Sequence, residues 1–214
     1  MLPTEFYPQV ISACHLPPQA RHAALINLHA EVVDQYHTRL QTIPEATAYV
    51  RTADLGDSRS LAQIVGHIAE WERFALMGAS DILVGLKIPR AIKDMAGFVT
   101  LTGEQQDFAS IDAFNAYYAE QHAKQPWPVI CQLALETSAA LLAMFAHPNL
   151  LDAKLLEATA QPWYKRLHDP ERTRIENITA GWTLWLIYLE HLAVDHHTAL
   201  FEQLYADAVG HGLA

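Results

Sequence analysis

Residues 182–204 read WTLWLIYLEHLAVDHHTALFEQL, and the spacing of their apolar side chains decides the fold class. Trp182, Trp185, Leu186, Leu189, Leu192, Ala193, Leu200 and Leu204 recur at helical intervals, so one side of a long helix is built to be buried. On the border of that stripe His191 and Asp195 are four residues apart and project toward one point a turn away. An imidazole and a carboxylate at this spacing are a common way for a helix to present two metal ligands. A third ligand has to come from another helix. The candidate is His67, embedded in residues 60–76, SLAQIVGHIAEWERFAL. Histidines packed in a core account for the same residues, and spacing alone does not separate the two readings.

Working outward, three more segments carry a helical stripe. Pro17-Pro18 opens a helix expected to run to about Ile43, with His22, Leu25, Ile26, His29, Val32, Val33, Tyr36 and Leu40 inward and Pro44 closing it. His22 and His29 read as satisfied core histidines. Ser60 followed by Gln63 is a capping-box pattern that starts the second helix, with Leu61, Ile64, Val65, Ile68 and Ala75 inward. Pro126-Trp127-Pro128 introduces the third, carrying Ile130, Leu133, Ala134, Thr137, Leu141, Met144 and Phe145 inward and ending at His147-Pro148. The fourth, expected from about Glu176 to Gly210, contains the quoted stretch.

The pattern predicts an all-α protein, a four-helix bundle forming a single domain over residues 1–214, with helical or irregular insertions between helices two and three and between three and four. Residues 45–57 are expected to be a connection. Residues 78–103, broken by Gly85, Pro89 and Gly97, are expected to be irregular, with a helical turn or two over 90–95. Ser110 or Asp112 caps a short helix, IDAFNAYYAEQHAK. Residues 149–176 hold a short helical piece near 150–157 and the polar turn QPWYKRLHDPER. No strand is expected.

Composition narrows the function classes. Hydrophobic residues make up 51% of the 214 and charged residues 18%, the balance of a soluble globular chain. A formal charge of −10, with only 14 Lys and Arg and no basic cluster, repels a phosphate backbone, so nucleic acid is excluded as a partner. Cys14 and Cys131 lack CxxC partners and suit reduced thiols. No apolar run is read as a membrane span and no signal peptide is read at the start, so a cytoplasmic location is expected. GxSxG, P-loop, GxGxxG and HExxH motifs are absent from the sequence.

SLAQIVGHIAEWERF resembles the second-helix signature of the DinB/YfiT-like metalloenzyme superfamily, in which a His precedes a Trp-Glu pair. IDAFNAYYAEQHAKQPWPVICQLALETSAALLAMF is similar to the middle of its ClbS/DfsB branch, and the resemblance spans about Ser60 to Glu202. It implies a four-helix bundle with a divalent metal, zinc or nickel, held by His67 and by an HxxxH pair on the last helix. His191 falls on the first position of that pair, but Asp195 stands where the second His is expected, and His196 follows at once. A carboxylate can replace an imidazole on zinc, whereas a five-residue offset turns His196 away from His191 on a regular helix. Asp195 is therefore the preferred third ligand and His196 the alternative.

Two function classes follow. The first is a metal-dependent hydrolase or thiol S-transferase acting on a small electrophilic molecule, a detoxification activity of the kind the resemblance implies, with Glu70 as a proton acceptor or metal-ligand partner. For Glu70 an exposed, solvated carboxylate is the simpler reading. The second class is a metal-free small-molecule-binding resistance protein of the ClbS kind, in which Trp71, Phe74, Tyr117, Tyr118, Trp163, Tyr164 and Tyr188 shape a pocket. The substrate or thiol is the expected small-molecule partner. Surplus apolar surface at Trp182, Trp185 and Phe201 leads to an expected homodimer.

Overall fold

The computed structural model describes residues 8–9, 12–13, 16–50, 59–84, 97–100, 102–147, 201 and 205–206. They are predominantly helical: α1 (Pro18–Leu40), α2 (Glu45–Ala48), α3 (Leu61–Leu83), α4 (Ile111–His122) and α5 (Trp127–Ala146), with a short hairpin, β1 (Phe98–Val99) and β2 (Gln105–Gln106), between α3 and α4. The centre of the arrangement is α3. Helix α5 packs along one side of it and α4 along another, while α1 packs against α5.

The helix ends follow the sequence. Ser60 and Gln63 form the reciprocal capping box: the Ser60 amide donates to Gln63 Oε1 at 3.0 Å and the Gln63 amide to Ser60 Oγ at 3.3 Å. Ser110, rather than Asp112, caps α4, accepting from the Ala113 amide at 3.1 Å. Pro126 precedes α5, and the Trp127 indole donates to the Ile43 carbonyl at 3.1 Å, tying the start of α5 to the end of α1. The core joins Tyr36 and Leu40 of α1, Leu61, Ile64, Val65 and Ile68 of α3, Ile130, Leu133 and Ala134 of α5, and Phe201. Each large side chain buried here contributes about 1.5–3 kcal/mol.

Several expectations need correction. Helix α1 stops at Leu40, three residues short of Ile43. Within 45–57, residues 45–48 form a helical turn, because Pro44 presets the backbone and the Thr47 and Ala48 amides both close on its carbonyl. Helix α3 does not end at Gly78. A lone glycine costs a helix only about 1 kcal/mol, and Ala75, Ala79 and Asp81 are buried on either side of it. The expectation of no strand misses the hairpin, whose antiparallel pairs are Phe98 with Gln106 and Val99 with Gln105. Gly103 makes its turn possible at φ +83°, a conformation that a side chain resists. Contrary to the sequence reading, α5 is long and apolar enough to cross a membrane by length and composition. In this fold its inward side packs on α1 and α3. Phe201, expected on an exposed apolar surface, is fully buried, its ring edge-on to Tyr36 with centroids 4.8 Å apart. The helix over 90–95, the 149–176 segment and the long fourth helix lie outside the described residues, apart from Phe201, Tyr205 and Ala206.

Candidate functional site

Helix α3 is buried on two sides, and each side carries a carboxylate. Glu70 and Glu72 are two residues apart, so they leave the helix in nearly opposite directions. Glu72, fully buried, faces α5. There Thr137 donates its hydroxyl proton to Glu72 Oε2 at 2.5 Å. Beside it the Ser138 hydroxyl donates to the Ala134 carbonyl at 2.7 Å and accepts from His37 Nε2 at 2.6 Å, so α1 and α5 are pinned by polar contacts inside an apolar seam. Tyr36 lies close enough to feel this carboxylate: burial, then Glu72, then Cys131 push its hydroxyl well above the usual tyrosine range.

The opposite side meets α4 and the hairpin. Gln63 donates to the Ala119 carbonyl at 3.2 Å, Trp71 Nε1 donates to Asn115 Oδ1 at 3.0 Å, and the His122 ring lies directly over Gly66. A Cβ at position 66 would fall inside the van der Waals envelope of that ring, so this close approach requires glycine. Glu70 is only 1% exposed, which corrects the expectation of a solvated carboxylate. Its Oε2 accepts from Arg73 Nη1 at 2.6 Å, and Arg73 Nη2 donates to the Val99 carbonyl at 2.6 Å. The same guanidinium lies 5.1 Å from the Phe98 ring centre, a cation–π contact that holds the hairpin against α3. Glu70 Oε1 faces His122 Nε2 at 3.5 Å, while His122 Nδ1 is 2.9 Å from Gln125 Oε1. Tyr118, on the same face of α4 as His122, is pushed up by burial first and by Glu70 second, with Arg73 acting in the opposite direction.

The predicted site residues are placed as follows. His67 is buried on α3, 8% exposed, with its ring 6.3 Å from that of Trp71. Trp71 and Phe74 are buried in an aromatic cluster with Phe98, Phe108, Phe114 and Tyr118, at centroid separations of 5.1 Å for Trp71–Phe114 and 5.2 Å for Phe98–Phe114. Rings at these distances and tilts are packed on one another as a core is. Tyr117 is exposed at the edge of the cluster. His22 bonds the Phe145 carbonyl through Nε2 at 2.7 Å, as expected of a satisfied core histidine, and His29 is buried. His191, Asp195, His196, Tyr188, Trp163 and Tyr164 lie outside the described residues.

Among the described residues no three His, Cys, Asp or Glu side chains assemble into a metal-binding group. Of the three expected ligands only His67, a nitrogen donor, falls among the described residues. A groove of about 540 Å³ between the arm residues Pro8, Gln9, Ser12 and Ala13 and helix α1 contains none of the residues singled out above.

Sequence reading missed His122, Gly66, Arg73 and Glu72. A signal for the first was present, since Phe114, Tyr118 and His122 recur every four residues and mark the inward face of α4. No family model matches the chain, and no curated protein or solved structure matches it either.

Proposed function

We propose that the chain is a DinB/YfiT-like four-helix bundle in which His67, His191 and Asp195 hold one divalent metal, zinc or nickel, and that it acts as a hydrolase or thiol S-transferase on a small electrophilic molecule. The observation that carries the reading is His67: an imidazole buried on α3 beside the Trp71 ring. The bundle reading draws on Phe201 and Tyr205. Phe201 packs on Tyr36, and Tyr205 meets Thr42 Oγ1 at 3.0 Å and lies under the Arg39 guanidinium, so both ends of this i, i+4 pair dock on α1. Phe201 and Tyr205 thus lie where the fourth helix of the proposed bundle would pack.

When bound, the metal would polarise a water or thiol at its open position. His67 binds it as a neutral imidazole, and the rings of Trp71, Phe74 and Phe114 exclude water on that side of α3. The metal-free alternative, a ClbS-like small-molecule binder, uses Trp71 and Phe74 as pocket walls. Their mutual contacts fill that space, so a ligand would have to part them. A cytoplasmic homodimer remains part of the proposal, resting on Trp182 and Trp185 alone now that Phe201 is committed within the chain.

Elemental analysis of tag-free protein tests the reading. About one zinc or nickel per chain is expected in the wild type, with loss in His67→Ala. Affinity should fall as pH drops through the histidine range near ~6.5, because only neutral imidazole binds metal. Wild type that contains no metal and takes up none overturns it. Metal retained by Asp195→Ala passes the third-ligand role to His196. Light scattering at micromolar concentration checks the dimer, and the mass of a 23.9 kDa monomer removes it.

A further inference from the structure

The Glu70 side of α3 contains two buried polar atoms with no hydrogen-bond partner among the described residues, Glu70 Oε1 and His122 Nε2, and beside them the buried Tyr118 hydroxyl, which interacts with Arg73 and Glu70. Their residues are 1%, 1% and 6% exposed, so bulk solvent does not satisfy them. Leaving such groups bare is costly, and in folded proteins they are paired with protein or ordered water.

The chemistry of the three atoms defines what fits between them. His122 Nδ1 is 2.9 Å from Gln125 Oε1, an acceptor, and the tautomer that makes this contact a hydrogen bond has its proton on Nδ1 and a lone pair on Nε2. Glu70 Oε1 is a carboxylate oxygen, also an acceptor. The two face each other at 3.5 Å, too far for a strong direct bond even if a proton stood between them. A group that donates twice, once to each, satisfies both. The Tyr118 hydroxyl can donate in turn, so the same group must also accept. Charge argues against a cation, because the Arg73 guanidinium already balances Glu70 through Oε2 at 2.6 Å. Size is limited by the His122 ring lying on Gly66 and by Phe98 and Phe114 packed on Tyr118. An uncharged molecule with two donors and an acceptor, small enough for this space, is water.

We propose that Glu70, Tyr118 and His122 enclose a single ordered water molecule that donates to Glu70 Oε1 and His122 Nε2 and accepts from Tyr118, bridging α3 to α4. An oxygen about 2.8 Å from both acceptors sits at the apex of a triangle on their 3.5 Å base. The Arg73 contacts to Val99 and Phe98 close the hairpin beside this site, so exchange of the water requires that contact to loosen. The site uses neither His67 nor any residue of the last helix, and shares only Glu70 with the metal reading.

The test is a water-oxygen relaxation dispersion measurement, which counts waters with long residence times, on wild type and on Glu70→Gln. The glutamine amide can place its NH2 where Oε1 stood, with its carbonyl still accepting from Arg73, so the water loses the acceptor that holds it on the α3 side. One long-lived water fewer is therefore expected in the variant. In Tyr118→Phe the water should remain but leave several-fold faster. Nitrogen NMR of wild-type His122 needs no variant and should show the ring proton on Nδ1 of the neutral imidazole. Equal numbers of long-lived waters in wild type and Glu70→Gln, or a residence time unchanged in Tyr118→Phe, overturns the proposal. So does an imidazole protonated on both nitrogens, which would make the bridge a direct ion pair.

Discussion

Glu70 and Glu72 are separated by one residue on the same helix, and both are buried, yet their surroundings differ in kind. Glu72 faces α5 inside an apolar seam and takes a hydroxyl proton from Thr137, with the His37–Ser138 bond beside it. Glu70 faces a smaller helix and a hairpin, holds a full guanidinium charge on one oxygen, and turns the other toward an imidazole 3.5 Å away. The contrast separates two uses of a buried carboxylate. One fixes the packing of long helices with neutral donors. The other keeps a charged, incompletely bonded cluster between α3 and α4, where a polar ligand or a proton has something to bind.

The largest expected effect comes from removing the cation on the Glu70 side. Arg73→Met keeps the length of the side chain over Phe98 but leaves Glu70 buried without its partner. Loss of one member of a buried pair costs about 3–5 kcal/mol, and the Val99 contact goes with it. Urea denaturation measures this, and a cost under 1 kcal/mol would show that the pair is solvated and the contrast overstated. On the other side, Thr137→Val removes one donor to Glu72 with almost no change in shape. A hydrogen bond to a charged group contributes about 1.5–3 kcal/mol, so this variant should lose less than Arg73→Met. The reverse order would mean that Glu72, not Glu70, is the more strained carboxylate.

Much of the packing was legible in the sequence because it follows period and punctuation. The Ser60–Gln63 box, Ser110 as one of the two cap candidates, and the inward residues Ile130, Leu133, Ala134, Thr137, Leu141 and Phe145 are found as expected, while Met144 of that set is only half-buried. The second buried side of α3 was not legible. Gln63 and Glu70 have the composition of a solvated face, and their burial depends on partners in α4 that lie some 50 residues away. Arg73 went unread in the sequence for the same reason. The hairpin escaped because strands of two residues are too short to show alternation. Of the proposed metal ligands only His67 falls among the described residues, so the site was legible as a spacing and is placed at one of its three points.

Gly66 sharpens the contrast from the backbone side. Alanine there gains about 1 kcal/mol of helix propensity, which would stabilise an exposed helix. Here its methyl group meets the His122 ring, and overpacking of this kind costs about 1–3 kcal/mol. A net loss of up to about 2 kcal/mol is expected, together with a changed His122 ring environment by NMR. A stabilised Gly66→Ala with an unmoved His122 signal would mean that α4 can slide away at no cost.

The smallest effect compares the tyrosines that sit beside the two carboxylates. Tyr36 near Glu72 and Tyr118 near Glu70 are both raised above the ordinary value of 10.0, each by burial first and by its carboxylate next. The sign follows from proton counting. Above about pH 10 an unfolded tyrosine gives up its proton while the folded one keeps it, so the folded state binds more protons and the unfolding free energy falls as pH rises. Stability supplied by each group is complete below pH 10 and is lost at about 1.4 kcal/mol per pH unit above it, until the folded pKa is reached. Cys131, raised by burial from 9.0, acts in the same direction from a lower starting point. Chemical denaturation between pH 9.5 and 11.5 should show this decline, and Tyr118→Phe and Tyr36→Phe should each remove about one proton's worth of slope. If only Tyr36→Phe flattens the curve, Tyr118 ionises as freely in the folded protein as in the unfolded one. The Glu70 side would then be open to water at high pH while the Glu72 side stays closed, and the two faces of α3 would differ in access as well as in bonding.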